Sequence, residues 1–169
     1  MKKIYLKTPT MDELSYRKNL IGNPETMSFN ASSGGTIDFD ESKWESWFNK
    51  WIGTRDSNYF YAYIFDKETD TFVGEVAYRL DFESNCAMLN IIIEASQRGN
   101  GYGYSGLMAL VKTAFKNGYK ELRDLVYNES KDSHTLFEKL GFKCIGIVED
   151  SRDYRLKIED FVEKFGELE

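Results

Sequence analysis

The stretch of this chain best suited to chemistry is Arg98-Gly99-Asn100-Gly101-Tyr102-Gly103, a cationic side chain followed by three glycines at alternate positions. It follows the run Leu89-Asn90-Ile91-Ile92-Ile93, apolar on both faces like a central strand, and precedes Leu107, Leu110, Val111, Ala114 and Phe115, which recur with helical period. Glycines at a strand-to-helix junction remove Cβ atoms from the first turn. Several backbone N–H groups can then face one anion together, with the helix dipole behind them. The segment is a candidate phosphate cradle, although a ligand-free turn has the same local composition.

Gly101-Tyr102-Gly103-Tyr104-Ser105-Gly106 also satisfies the dinucleotide-binding pattern Gly-x-Gly-x-x-Gly. Its surroundings do not fit that reading. The next apolar run ends in Tyr127-Asn128 rather than an acid suited to a ribose hydroxyl, and the strands before the motif read as antiparallel. A Walker A loop is excluded because no Gly-Lys-Ser/Thr follows the glycines. Cys86 and Cys144 lie in apolar runs without the spacing of a zinc site or redox pair, and both are expected as small buried hydrophobes; no metal site is expected.

The elements that would position the cradle follow from the flanking sequence. Ile4 and Leu6 mark a short strand, and Thr10 caps a helix from about Met11 to Ile21, with Glu13 as its capping-box acid and Gly22-Asn23-Pro24 as its stop. Phe29 to Asp38 reads as loop. A second helix from about Asp40 to Trp51 aligns Trp44, Trp47, Phe48 and Trp51 on one face, which packs into the core or lines a pocket. Tyr59 to Phe65 and Phe72 to Leu80 form an antiparallel hairpin, extended by Cys86 to Ile93. After the helix that opens at Gly101 and stops at Asn117-Gly118 come a strand from Leu122 to Tyr127, a helix from Ser130 or Asp132 to Leu140, and a last strand pair, Phe142 to Val148 and Tyr154 to Ile158. The expected architecture is one α/β (α+β) domain over residues 1–169, a mixed, mostly antiparallel central sheet flanked by helices, with one right-handed βαβ crossover around the cradle.

Arg98 precedes Gly101 by three residues and Gly103 by five, giving Gln/Arg-x-x-Gly-x-Gly/Ala. This resembles the acetyl-CoA signature of the GNAT superfamily of N-acetyltransferases. Asn128, Ser133, Leu136, Phe137 and the Lys139-Leu140-Gly141-Phe142 ending look like that family's later motif. The resemblance covers about Ala87 to Val148, and Tyr154-Arg155-Leu156 is suggestive of the branch that includes ribosomal-protein N-terminal acetyltransferases.

The resemblance implies the GNAT fold and acetyl-CoA as cofactor. It implies that free backbone groups of Ile91, Ile92 and Ile93 pair with the pantetheine arm. The pyrophosphate would rest on the amides of Arg98, Gly99, Asn100, Gly101, Tyr102, Gly103 and Tyr104, with a charge-assisted contact from the Arg98 side chain. Asn128 would bond the arm or an ordered water, and Ser133 and Phe137 would lie along the cofactor. The implied activity is acetyl transfer to a primary amine of a peptide N-terminus, a polyamine or another small molecule, by direct attack in a ternary complex. A non-catalytic CoA-binding regulator is the alternative.

Such a transfer needs a base for the amine, and an acid can serve the departing thiolate. The family's usual tyrosine acid is replaced here by Phe137, which leaves Tyr154, Tyr127, Ser133 and Ser130 as hydroxyl candidates. Ala87-Met88-Leu89-Asn90 lacks the family's frequent carboxylate, which makes Glu75 the candidate base, although an acid in a strand commonly faces solvent. His134, the only histidine, is expected at the surface or in a cap. Asp38, Asp40 and Glu41 form an acidic cluster suited to a cationic amine or simply to solvent.

The formal net charge of -6 argues against broad binding to nucleic acid. The N-terminal residues lack an apolar stretch long enough for a signal peptide or membrane span, so a cytoplasmic protein without membrane partners is expected, with a homodimer compatible with the sequence.

Overall fold

In the computed structural model, which describes residues 1–54 and 56–169, a seven-stranded sheet runs in the order β1-β2-β3-β4-β5-β7-β6. The strands are β1 (Ile4–Lys7), β2 (Tyr59–Asp66), β3 (Thr71–Asp81), β4 (Cys86–Ile93), β5 (Glu121–Tyr127), β6 (Lys143–Val148) and β7 (Ser151–Lys157). The helices are α1 (Leu14–Gly22), α2 (Trp44–Phe48), α3 (Tyr102–Lys116), α4 (Lys131–Lys139) and α5 (Ile158–Phe165). Every neighbouring pair is antiparallel except β4–β5, so the crossover through α3 is the parallel step expected around the cradle.

Local chemistry sets the turns. Asp66 closes the β2–β3 turn by accepting from Glu68 N at 2.7 Å, and Asp70 takes a left-handed φ of 59° there. Glu13 reaches back to the Thr10 amide at 3.0 Å, as a capping-box acid does, but regular helix begins only at Leu14 because Met11 to Glu13 form turns. The segment expected as one helix from Asp40 to Trp51 is a tight turn (Glu41–Lys43), the short α2, and a wide turn (Asn49–Gly53). Part of the expected loop, Ser28–Ser33, is also a tight helical turn.

One element was absent from the sequence reading. α5 follows β7 without a break, and Ile158, expected at the end of the last strand, is its first residue. Its charged residues mask a single apolar stripe in which Phe161, 1% exposed, packs on Phe115 at 5.5 Å between ring centroids.

The sheet's two faces have different partners. α3, α4 and α5 cover the face carrying Val76, Tyr78, Leu89, Leu122 and Tyr154. α1 and the tryptophan segment cover the other, which carries Ile92, Tyr61, Tyr63 and Ala77. Gly106 lets α3 approach closely: a Cβ there would lie 2.6 Å from Ile64 Cδ1. The third glycine of the dinucleotide-like pattern is thus explained by packing rather than by a ligand.

Candidate functional site

β4 and β5 pair only at Ala87↔Leu122 and Met88↔Arg123, and beyond these they part. β5 is held on its far side by β7 along its whole length, from Glu121↔Lys157 to Tyr127↔Ser151. β4 stays registered on β3 up to Gly74↔Ile93, and at Gly74 a side chain would collide with the Ile92 carbonyl, so only glycine permits this approach. Each strand follows its outer neighbour, and the gap is a consequence. Arg123 pins the apex: it donates to Asp153 Oδ1 at 3.1 Å and Oδ2 at 3.2 Å, and to Asp81 Oδ2 at 2.9 Å, tying β5 to β7 and to the end of β3. Burial pushes the Asp153 carboxyl up, but hydrogen bonds from Arg155 and Arg123 outweigh it and hold it below the usual range.

The gap opens into a cleft of about 680 Å³. Ile91, Ile92 and Ile93 form one wall and Leu125, Val126 and Tyr127 the other, with Gly99, Tyr102 and Gly103 at one end and Ser133, Leu136 and Phe137 of α4 alongside. Gly99 (φ 76°) and Gly101 (φ 89°) take left-handed conformations that turn the chain into α3. Among the described residues, the amides of Gly99, Asn100, Gly101, Tyr102, Gly103 and Tyr104 donate to no backbone carbonyl, and they gather at the α3 N-terminus. The Tyr102 side chain is buried the other way, its hydroxyl on Asp66, and that bond is the main cause that pushes its pKa up to about 12. It fastens the cradle to the β2–β3 turn.

Arg98 lines the cleft, but its guanidinium is committed elsewhere. It donates to Thr26 O at 2.5 Å and Glu25 O at 3.4 Å, stitching the α1 exit to the cradle, so the expected side-chain contact with a pyrophosphate gives way to a structural one. The Arg98 amide is also used, on Ala95 O at 3.3 Å.

On the opposite face a cavity of about 220 Å³ lies between the sheet and the α1 and tryptophan segments, lined by Arg17, Trp47, Trp51, Tyr61, Glu75 and Arg79 among others. Asn90 lines both this cavity and the cleft. The tryptophans do both things weighed from the sequence: Trp47 packs edge-on against Tyr61 at 4.6 Å, and Trp47 and Trp51 also wall the cavity.

Glu75 faces this cavity rather than solvent, its side chain 1% exposed. One oxygen, Oε2, accepts from the Tyr61 hydroxyl and lies 3.5 Å from Arg17 Nε; Oε1 has no hydrogen-bond partner among the described residues. Burial and then the neighbouring Glu75 carboxylate push the Tyr61 hydroxyl well above its ordinary pKa, so it remains a donor.

Of the other residues named from sequence, Asn100, Gly101 and Tyr104 belong to the cradle but do not line the cleft, and Tyr104 stacks under Lys139 at 5.2 Å. Asn128 is exposed; its carbonyl meets His134 Nε2 at 3.0 Å, and its amide donates to Asp150 O at 2.8 Å. Tyr154 is fully buried, its hydroxyl 3.1 Å from His134 Nδ1 and 3.2 Å from Glu138 Oε1, away from the cleft lining. His134, expected at the surface or in a cap, is buried, and its two ring nitrogens meet the Asn128 carbonyl just after β5 and the Tyr154 hydroxyl of β7. Cys86 is buried as expected, whereas Cys144 is exposed because β6 is the open edge of the sheet. Asp38 pairs with Lys43 at 2.9 Å and Asp40 caps Ser42 N at 3.1 Å, so these acids serve their own turn.

Sequence reasoning missed Asp124. It stands in β5 just beyond the last β4–β5 pair and lines the cleft. The walls strip enough water from it that burial raises its pKa well above the usual aspartate value, only partly opposed by the Leu125 amide. The available signal was a lone acid inside a strand one residue from the arginine that closes the apex.

Comparison with known proteins accords with this architecture. The family model described as Acetyltransferase (GNAT) domain matches residues 3–143. No curated protein matches the chain. Among solved structures, the fold is similar to that of a spermidine N-acetyltransferase from Vibrio cholerae in complex with CoA and spermine, at 17% identity and TM-score 0.80 over 95% of this chain and 98% of the other. It is similar to a domain from Methanocaldococcus jannaschii DSM 2661, at 22% identity and TM-score 0.75 over 94% and 100%. An acetyltransferase (GNAT family) from Bacillus anthracis matches at 14% identity and TM-score 0.73 over 94% and 96%. With the family model spanning most of its length, a parted β4–β5 pair and a glycine cradle of free amides, this chain belongs to the GNAT acetyltransferases, the family that uses acetyl-CoA as acyl donor.

Proposed function

We propose that this protein is an N-acetyltransferase that moves an acetyl group from acetyl-CoA to a primary amine, of a small molecule or a peptide N-terminus, by direct attack with both ligands bound. The observation that carries the reading is a pair of cavities that share Asn90 as a lining residue: a cleft walled by unpaired strand edges and free amides, and an aromatic cavity holding a buried carboxylate.

The residues present fit the donor. Six amides without an acceptor among the described residues, at the start of a fifteen-residue helix, suit a pyrophosphate, and the free edge of Ile91 to Ile93 offers alternating donors and acceptors to an amide-bearing arm. When bound, acetyl-CoA supplies an activated acyl group as a thioester. Backbone N–H groups of β4 beyond Met88 are free on the cleft side to polarise a carbonyl. Glu75 Oε1, unpartnered beside the acceptor cavity, receives the amine's proton, directly or through one water. Phe137 has no hydroxyl, and Asp124, on the same face of the sheet and with its pKa raised by burial, stands at the cleft wall as the proton donor to the thiol sulfur.

Calorimetric titration with acetyl-CoA followed by a thiol-release assay over an amine panel tests this. Binding with amine-dependent thiol release is expected. No binding at millimolar acetyl-CoA overturns the reading, and tight binding without release from any amine transfers it to a non-catalytic CoA-binding regulator.

A further inference from the structure

The acceptor cavity has a charge arrangement that narrows the amine. Arg17 reaches it from α1 with its guanidinium carbon 4.7 Å from the ring centroids of both Phe39 and Trp47, and 5.6 Å from that of Tyr61. Rings on several sides fix the guanidinium plane without using its hydrogen-bonding edge. Its buried Nε lies 3.5 Å from Glu75 Oε2 as an ion pair without a hydrogen bond, and among the described residues its terminal nitrogens donate to no protein oxygen. Arg79, exposed on β3, adds a second cation to the lining and forms no ion pair among the described residues. Against these the lining sets a single carboxylate, Glu75, whose Oε2 already accepts from Tyr61 and pairs with Arg17 Nε, leaving only Oε1 without a partner among the described residues.

A polycation would bring further positive charge against two guanidinium groups with one carboxylate oxygen to receive it, a like-charge approach that costs more in a partly desolvated cavity than in water. A carboxylate is the natural partner of a fixed guanidinium whose two terminal nitrogens are open, and it meets them with two parallel hydrogen bonds. Glu75 Oε1, at the same time, is placed to accept from an ammonium.

We infer that the acceptor is a primary amine that also bears a carboxylate, an amino acid or a compound of like chemistry, with its carboxylate on Arg17 and Arg79 and its amine directed past Glu75 toward Asn90. This inference rests on the acetyltransferase reading above. The volume of about 220 Å³ and the aromatic walls suit an amino acid with an apolar or aromatic side chain.

Thiol release at saturating acetyl-CoA is compared for matched pairs, L-phenylalanine against L-phenylalaninamide and L-leucine against L-leucinamide, with spermidine as a third arm. Each acid should exceed its amide in kcat/KM by about 30-fold or more, the size expected when removal of one partner leaves a buried charged group unpaired. In Arg17→Gln and Arg79→Gln the acid-to-amide ratio should collapse by about tenfold each, through KM, while calorimetry shows acetyl-CoA bound as in the parent. Arg79 is exposed, so its variant tests the inference even if the Arg17 variant folds poorly. Equal turnover of acids and amides, preference for spermidine, or an unchanged ratio in the Arg79 variant overturns the inference and leaves the enzyme assignment standing. Release from no amine at all overturns both.

Discussion

Gly101 carries a specific burden because its φ of 89° is left-handed, so a side chain there strains the backbone whatever space is available. Gly101→Val should abolish acetyl-CoA binding by calorimetry while circular dichroism remains that of a folded domain, at a stability cost of about 1–2 kcal/mol. Retained affinity would show that the cradle is not the binding element. Asp124 yields a pH prediction with a definite sign. Its folded pKa is raised, so between the ordinary aspartate value, about 3.9, and the raised one the folded state binds more protons than the unfolded, and stability falls as pH increases through that window. Asp124→Asn should therefore melt higher than the parent at pH 7 to 8, with the difference closing toward pH 4, while kcat falls by about 10²-fold. A variant less stable at pH 8 than the parent would contradict the assigned protonation. Glu75→Gln keeps the shape but cannot take a proton; kcat should fall by about 10²-fold or more with acetyl-CoA affinity unchanged.

At the scale of elements, α5 and the Arg123 network locate the stability of the cleft. Phe161 is the apolar anchor of α5 and is 1% exposed, so Phe161→Ala should cost about 3–5 kcal/mol in chemical denaturation. A cost near zero would mean that the helix docks without it. Legibility from sequence follows period and length. The hairpin, β4, α3 and α4 were readable because each has a sustained alternation or helical repeat and a glycine, asparagine or acid at its ends. α5 escaped because it begins directly on the strand before it, with no punctuation and only one fully buried side chain. The tryptophan segment showed its face but not its build, since tight, regular and wide turns can present Trp44, Trp47 and Trp51 to the same side.

Across the whole molecule, two cavities share Asn90 as a wall close to where β4 leaves β5. The parting itself has no sequence signature. It results from a tight approach at Gly74 on one side, full β5–β7 pairing on the other and an arginine at the apex, residues separated by dozens of positions in the chain. Among the described residues, no helix is long and apolar enough to cross a membrane.

The cofactor side was legible because a phosphate cradle is made of consecutive backbone groups, and glycine spacing reports backbone geometry directly. The order of the seven strands, the parallel crossover and the glycine turn into α3 were thus legible in the sequence alone. The second cavity is built from side chains of α1, the tryptophan segment, β2, β3 and β4, whose meeting depends on packing across the sheet. Only the tertiary structure decided that Glu75 is buried with a free oxygen, that Arg98 serves the scaffold, that Tyr154 and His134 bond one another, and that Asp124 faces the cleft. Burial and partnership at these positions are properties of distant residues brought together, and no local pattern encodes them.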